Sequence, residues 1–146
     1  MSAEHDTPCL PRIVIDTQVL MDWMVFHDAR VAGLVEAVTS RRVDWLVTEA
    51  MLDEIRHVLQ RGVAAAYNPD IQAVKAHFQA HARPCPPASV SPRLVCRDKD
   101  DQKFIDLALE QQARWLVSRD KAVLALARRA RERGLHIVKP EQWTID

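Results

Sequence analysis

With 146 residues, 20 basic and 20 acidic side chains and 48% apolar content, the chain can bury one full hydrophobic core and has no net charge to draw it to a polyanion. No apolar stretch is long enough to span a bilayer. The only glycines, Gly33, Gly62 and Gly134, exclude a G-x-G-x-x-G turn and a P-loop, which need glycine so that backbone N–H groups can approach phosphate; a dinucleotide cofactor is not expected.

In chain order, residues 1–11 lack a basic segment followed by an apolar one, so they read as a flexible tail rather than a secretion signal. The domain is expected to run from 12 to 146. "RIVI" (12–15) is strand-like, and the short apolar run "VLMDWMVF" follows as a helix. In "DARVAGLVEAVTSRR", Val31, Leu34, Val35 and Val38 fall at i, i+3, i+4, i+7 and predict an amphipathic helix. "DWLV" is a second strand, and Thr48 is placed as the cap of the helix "EAMLDEIRHVLQR". Asn68 and Pro69 open another helix. The four prolines of "RPCPPASVSP" predict an extended tether rather than an element. "DDQKFIDLALEQQA" is helical, "RWLV" a strand, and "DKAVLALARRARER" a helix stopped by Gly134. "HIV" is the last strand. Cys9, Cys85 and Cys96 are odd in number and too far apart for a disulfide frame or a zinc site, which fits reduced thiols in a cytoplasmic protein.

Strand–helix alternation with short apolar strands predicts an α/β fold, a central mostly parallel sheet covered by helices on both faces. Ligands of such sheets lie beyond the carboxyl ends of the strands. Asp16 follows "RIVI" directly, and Asp120 follows "WLVS" in the same way. Either alone reads as a helix cap. Stepping about 100° per residue from Asp101 puts Phe104, Ile105, Ala108 and Leu109 on an arc centred on that aspartate. Its carboxylate should therefore face the sheet, with Asp100 and Asp106 off the stripe. On the helix after "DWLV", Glu54 falls on the rim of the stripe formed by Leu52, Ile55, Val58 and Leu59, while Asp53 and Glu49 point away. The ordinary partners of Glu54 would be His57 or Arg61 on its own helix surface.

Four acids, Asp16, Glu54, Asp101 and Asp120, can thus be aimed at one sheet edge. Together they repel, and some pKa values rise unless a cation intervenes. Oxygen-only ligands suit Mg²⁺ or Mn²⁺, and an ion held that way serves phosphodiester hydrolysis.

"IDTQVL", the Glu in "TEAMLDEI", "RDKDDQKFIDLAL" and "WLVSRDKAVL" resemble the PIN-domain ribonucleases over nearly the whole chain, closest to the VapC-like toxins of toxin–antitoxin pairs. The resemblance implies a three-layer α/β/α sandwich and a Mg²⁺- or Mn²⁺-dependent endoribonuclease acting on single-stranded RNA. It implies a small antitoxin partner and a homodimer, to which the apolar "MDWMVF" run could contribute. The four acids carry onto Asp16, Glu54, Asp101 and Asp120, and the polar helper before the last acid onto Ser118. Gln18 stands where the family reads Asn. Two other readings are a PIN-like RNA- or protein-binding module without turnover, and a receiver-like domain using Lys121 or Lys139. His77 and His81, at i and i+4, lack a third zinc ligand and read as structural. Arg128, Arg129, Arg131 and Arg133 form either a solvated face or a track for an RNA backbone.

Overall fold

A computed structural model describes residues 9–89 and 94–145. Most of the expected tail and the end of the proline-rich stretch lie outside the described residues. Five strands, β1 (Arg12–Ile15), β2 (Asp44–Val47), β3 (Ala82–Pro84), β4 (Trp115–Val117) and β5 (His136–Val138), form one sheet in the order β3-β2-β1-β4-β5. Every pairing is parallel. The three central strands, β2, β1 and β4, are buried on both faces, as near-continuous apolar runs require. Ile13, Ile15, Trp45, Val47, Trp115 and Val117 point to one face. Val14, Leu46, Leu116 and Ile137 point to the other.

The first face is covered by α1 (Thr17–Met24), α2 (Ala32–Thr39), α3 (Glu49–Leu59), α4 (Gly62–Ala66) and α5 (Ile71–His81). The second is covered by α6 (Gln102–Glu110), α7 (Lys121–Leu124) and α8 (Ala127–Arg131). Right-handed crossovers explain the division. The chain steps outward from β1 to β2 to β3, then returns beside β1 and steps the other way from β4 to β5, so its helices change face. No helix among the described residues is long and apolar enough to cross a membrane.

Four local expectations are corrected. The proline-rich stretch is not wholly a tether, because Arg83 and Pro84 join Ala82 as the edge strand β3. An edge is where a strand tolerates proline's missing N–H. The last long helix is broken into α7 and α8. Thr48 holds the N-cap position of α3 but makes no side-chain cap bond. Asp70, not Asn68 or Pro69, starts α5, its side chain accepting from the Ala73 N–H at 3.1 Å. Gly134 does follow α8, with φ of 82°, a conformation that favours glycine.

Candidate active site

β1 and β4 are neighbours at the point where the strand order reverses, so the loops leaving them share one edge. The Asp16 N–H donates to the Val117 carbonyl at 3.0 Å, and the Ser118 N–H to the Val138 carbonyl at 3.0 Å, extending the sheet register into both loops. Ser118 is fully buried. Its hydroxyl donates to Asp16 Oδ2 at 2.6 Å and accepts from the Asp120 N–H at 3.0 Å. One serine therefore links two of the expected acids.

Asp16 is 5% exposed. Its other oxygen, Oδ1, accepts from the Gln18 N–H at 3.2 Å and caps α1. Asp120 Oδ1 accepts from the Ala122 N–H at 2.8 Å and caps α7. Between these residues, Arg119 pairs with Asp22 of α1 and with Glu141, both at 2.7 Å, and ties the β4–α7 loop to two neighbouring segments.

Asp101 is not inside a helix, as the phase argument placed it. It ends a 3₁₀ turn, Lys99–Asp101, and stands at the N-cap of α6. It still turns inward, and its Oδ2 is buried without a hydrogen-bond partner. Asp98 begins the same turn, its Oδ1 accepting from the Asp100 N–H at 3.0 Å. Asp98, Asp101 and Asp120 present carboxylate oxygens that all lie within 4.8 Å of one another. Asp98 was not among the four acids singled out from the sequence; the signal available was its place as an Asp opening a helical turn.

Glu54 comes from the second turn of α3. It pairs neither with His57 nor with Arg61. Its Oε1 accepts from the Thr17 hydroxyl and its Oε2 from Lys103 Nζ at 2.8 Å. Of the acids expected to point elsewhere, Asp53 pairs with Arg56 at 3.1 Å, Asp100 is exposed, and Asp106 accepts from Gln102 Nε2 at 2.9 Å.

Electrostatics bind the acids into one unit. Burial pushes the Asp101 carboxyl up to about 7, helped by the negative charges of Asp16 and Asp120. Burial also raises Asp16, opposed by the hydrogen bonds from Ser118 and Gln18 and reinforced by Glu54 and Asp120. Like charges gathered in a half-buried space favour protons or a cation. The donor set fits a hard divalent ion: it is all oxygen, and Asp101 Oδ2 has no hydrogen-bond partner among the described residues.

Residues 12–122 match the family profile described as "PIN domain". No curated protein sequence matches the chain. Among solved structures, VapBC2 from Rickettsia felis, bound to a DNA fragment from its promoter, aligns with a TM-score of 0.57 at 11% identity, over 86% of this chain and 96% of that one. A PilT N-terminus domain protein from Sulfolobus solfataricus P2 aligns with a TM-score of 0.47 at 17% identity, over 90% and 88%. The first alignment shows a shared fold. A profile match running from the first strand past the last acid covers most of the chain, and by it this protein belongs to the PIN domain family of nucleases.

Proposed function

We propose that this chain is a Mg²⁺- or Mn²⁺-dependent endoribonuclease that cuts single-stranded RNA, and that it is the toxin of a toxin–antitoxin pair. The observation that supports this most is the acid cluster at the ends of β1 and β4, with one Asp101 oxygen buried and unpartnered. Asp98, Asp101 and Asp120 are the nearest-grouped donors, Asp16 is fixed beside them by Ser118, and Glu54 flanks them. When bound there, a divalent ion supplies Lewis-acid stabilisation of the phosphodiester and of the leaving oxygen. Ser118 keeps Asp16 aligned, and its hydrogen bond opposes the rise that burial imposes on that carboxyl. The exposed Arg128, Arg129 and Arg131 of α8, which follows the Asp120 loop, offer cations to an RNA backbone.

The toxin assignment draws on family membership and on the fold shared with the VapBC2 complex. A small antitoxin protein is the partner it calls for, with a cytoplasmic location. A homodimer belongs to the same reading. Of the run "MDWMVF", residues 21–25 are buried in the chain's own core and only Phe26 is half-buried, so that run offers little surface to a partner copy.

The test is cleavage of a single-stranded RNA panel by the purified chain with Mn²⁺ and with EDTA. Cleavage should require the metal. Asp16→Asn should keep the fold and lose more than the roughly 100-fold that removing an outer metal partner costs. Mn²⁺ should raise the melting temperature of the parent by mass action. A parent that neither cleaves RNA nor melts higher with Mn²⁺ would instead be a binding module.

A further inference from the structure

Among the described residues, Glu54 differs from Asp16, Asp98, Asp101 and Asp120 in pairing with a lysine. Both its oxygens are engaged, Oε1 by the Thr17 hydroxyl and Oε2 by the Lys103 ammonium at 2.8 Å. The Glu54 and Lys103 side chains are each 27% exposed, so the pair is largely screened from water. Lys103 is fixed further by the Asp100 carbonyl. It stands two residues after Asp101 in the first turn of α6, on the segment that supplies Asp98 and Asp101. Those two acids and Asp120 come together without Glu54.

A two-ion site needs carboxylates to bridge or flank two cations about 3.5–4 Å apart. Glu54 lies close enough to Asp16 for their charges to interact, and a lysine already neutralises it. We propose that Lys103 is the built-in cation of this site. Its ammonium holds Glu54 out of the ion's coordination sphere, so that the cluster takes a single divalent ion on Asp98, Asp101 and Asp120. Lys103 is then a positioning residue that acts through Glu54. The inference rests on the metal-dependent reading above, but it concerns how many ions bind and which acids hold them.

The charges give a sign that separates this arrangement from one in which Glu54 is a ligand. If Glu54 only balances Lys103, Glu54→Gln leaves a bare ammonium beside the ion and weakens binding. Adding Lys103→Met removes that repulsion and restores it. If Glu54 is a ligand, the double variant lacks the ligand still and stays weak.

The experiment is a Mn²⁺ titration of the full chain, read from the electron paramagnetic resonance signal of free Mn²⁺. The same preparations are assayed for RNA cleavage and by thermal melts. The parent should bind one Mn²⁺ per chain. Asp101→Asn should weaken binding by about tenfold or more, because carboxylate count sets affinity. Glu54→Gln should weaken it, and the Glu54→Gln, Lys103→Met pair should return to within about threefold of the parent, as coupled neighbours do in a double-mutant cycle. Lys103→Arg, which keeps the charge, should retain a stoichiometry of one. Two ions bound by a parent that cleaves RNA would overturn this inference and leave the nuclease reading standing. So would a double variant as weak as Glu54→Gln alone. A parent that binds no Mn²⁺ would overturn both.

Discussion

Asp101 holds an oxygen that is buried and unpaired, on a carboxyl pushed up to about 7 by burial and by Asp16 and Asp120. The folded chain therefore binds a proton there more tightly than the unfolded chain, whose ordinary value is 3.8. Stability from this group is complete below the unfolded value and is lost as pH rises through the folded one. In EDTA, the parent should lose melting temperature between about pH 4 and about pH 8 by more than Asp101→Asn does, since asparagine has no charge to acquire. Parallel melting profiles for the two proteins would refute this. Ser118 has two tasks at once, as donor to Asp16 and acceptor from the Asp120 N–H. Ser118→Ala strands a buried carboxylate and should destabilise the metal-free fold by about 1–3 kcal/mol in urea unfolding. It should also weaken Mn²⁺ binding, because it loosens two acids together.

Among elements, the helix starts matter most. Asp16, Asp98 and Asp120 each give one oxygen to a backbone N–H at the first turn of a helix or 3₁₀ segment. Capping and site-building are thus not rival roles, since a carboxylate has a second oxygen to present. The two can be separated at Asp120. Asp120→Asn keeps an amide oxygen for the Ala122 N–H and should unfold in EDTA near the parent's midpoint, whereas Asp120→Ala should lose about 1 kcal/mol; both should bind Mn²⁺ poorly. Equal stabilities for the Asn and Ala variants would show that the cap contributes nothing. The four apolar strands were legible because burial leaves a run such as "RIVI" or "WLV" with no other home. β3 was not, because its residues are polar or proline and are recruited by β2 rather than by any pattern of their own. Helix phase placed Asp101 within α6, whereas it turns inward from the N-cap, a position that phase does not govern. Lys103 and Thr17 were missed because a lysine at a helix start and a threonine after an aspartate look solvated until Glu54 is placed between them. Nothing in the stretch between Val123 and Ala127 marks the break that separates α7 from α8.

At the scale of the molecule, two apolar clusters share one sheet. Val14 and Leu46 point into one, while their strand neighbours Ile13, Ile15, Trp45 and Val47 point into the other. Neither layer can come apart without exposing the other, so the domain proposed for residues 12–146 should unfold as one unit. Calorimetric and van't Hoff enthalpies should agree. Limited proteolysis in the proline-rich stretch should not release two separately stable fragments; recovery of two folded pieces would contradict a single domain.

The bond between Ser118 and Asp16 joins residues 102 positions apart. A ribosome delivering this chain releases β1, β2, Asp16 and Glu54 well before β4 exists to align them, and domains form from the N-terminal side as synthesis proceeds. A product truncated before Trp115 would carry Asp16, Glu54, Asp98 and Asp101 with no strand to set Asp16 and no Asp120 to complete the cluster. On the proposed function this timing protects the cell's own message. An enzyme that destroys RNA is itself read from RNA, and its blade closes only near the end of its own translation.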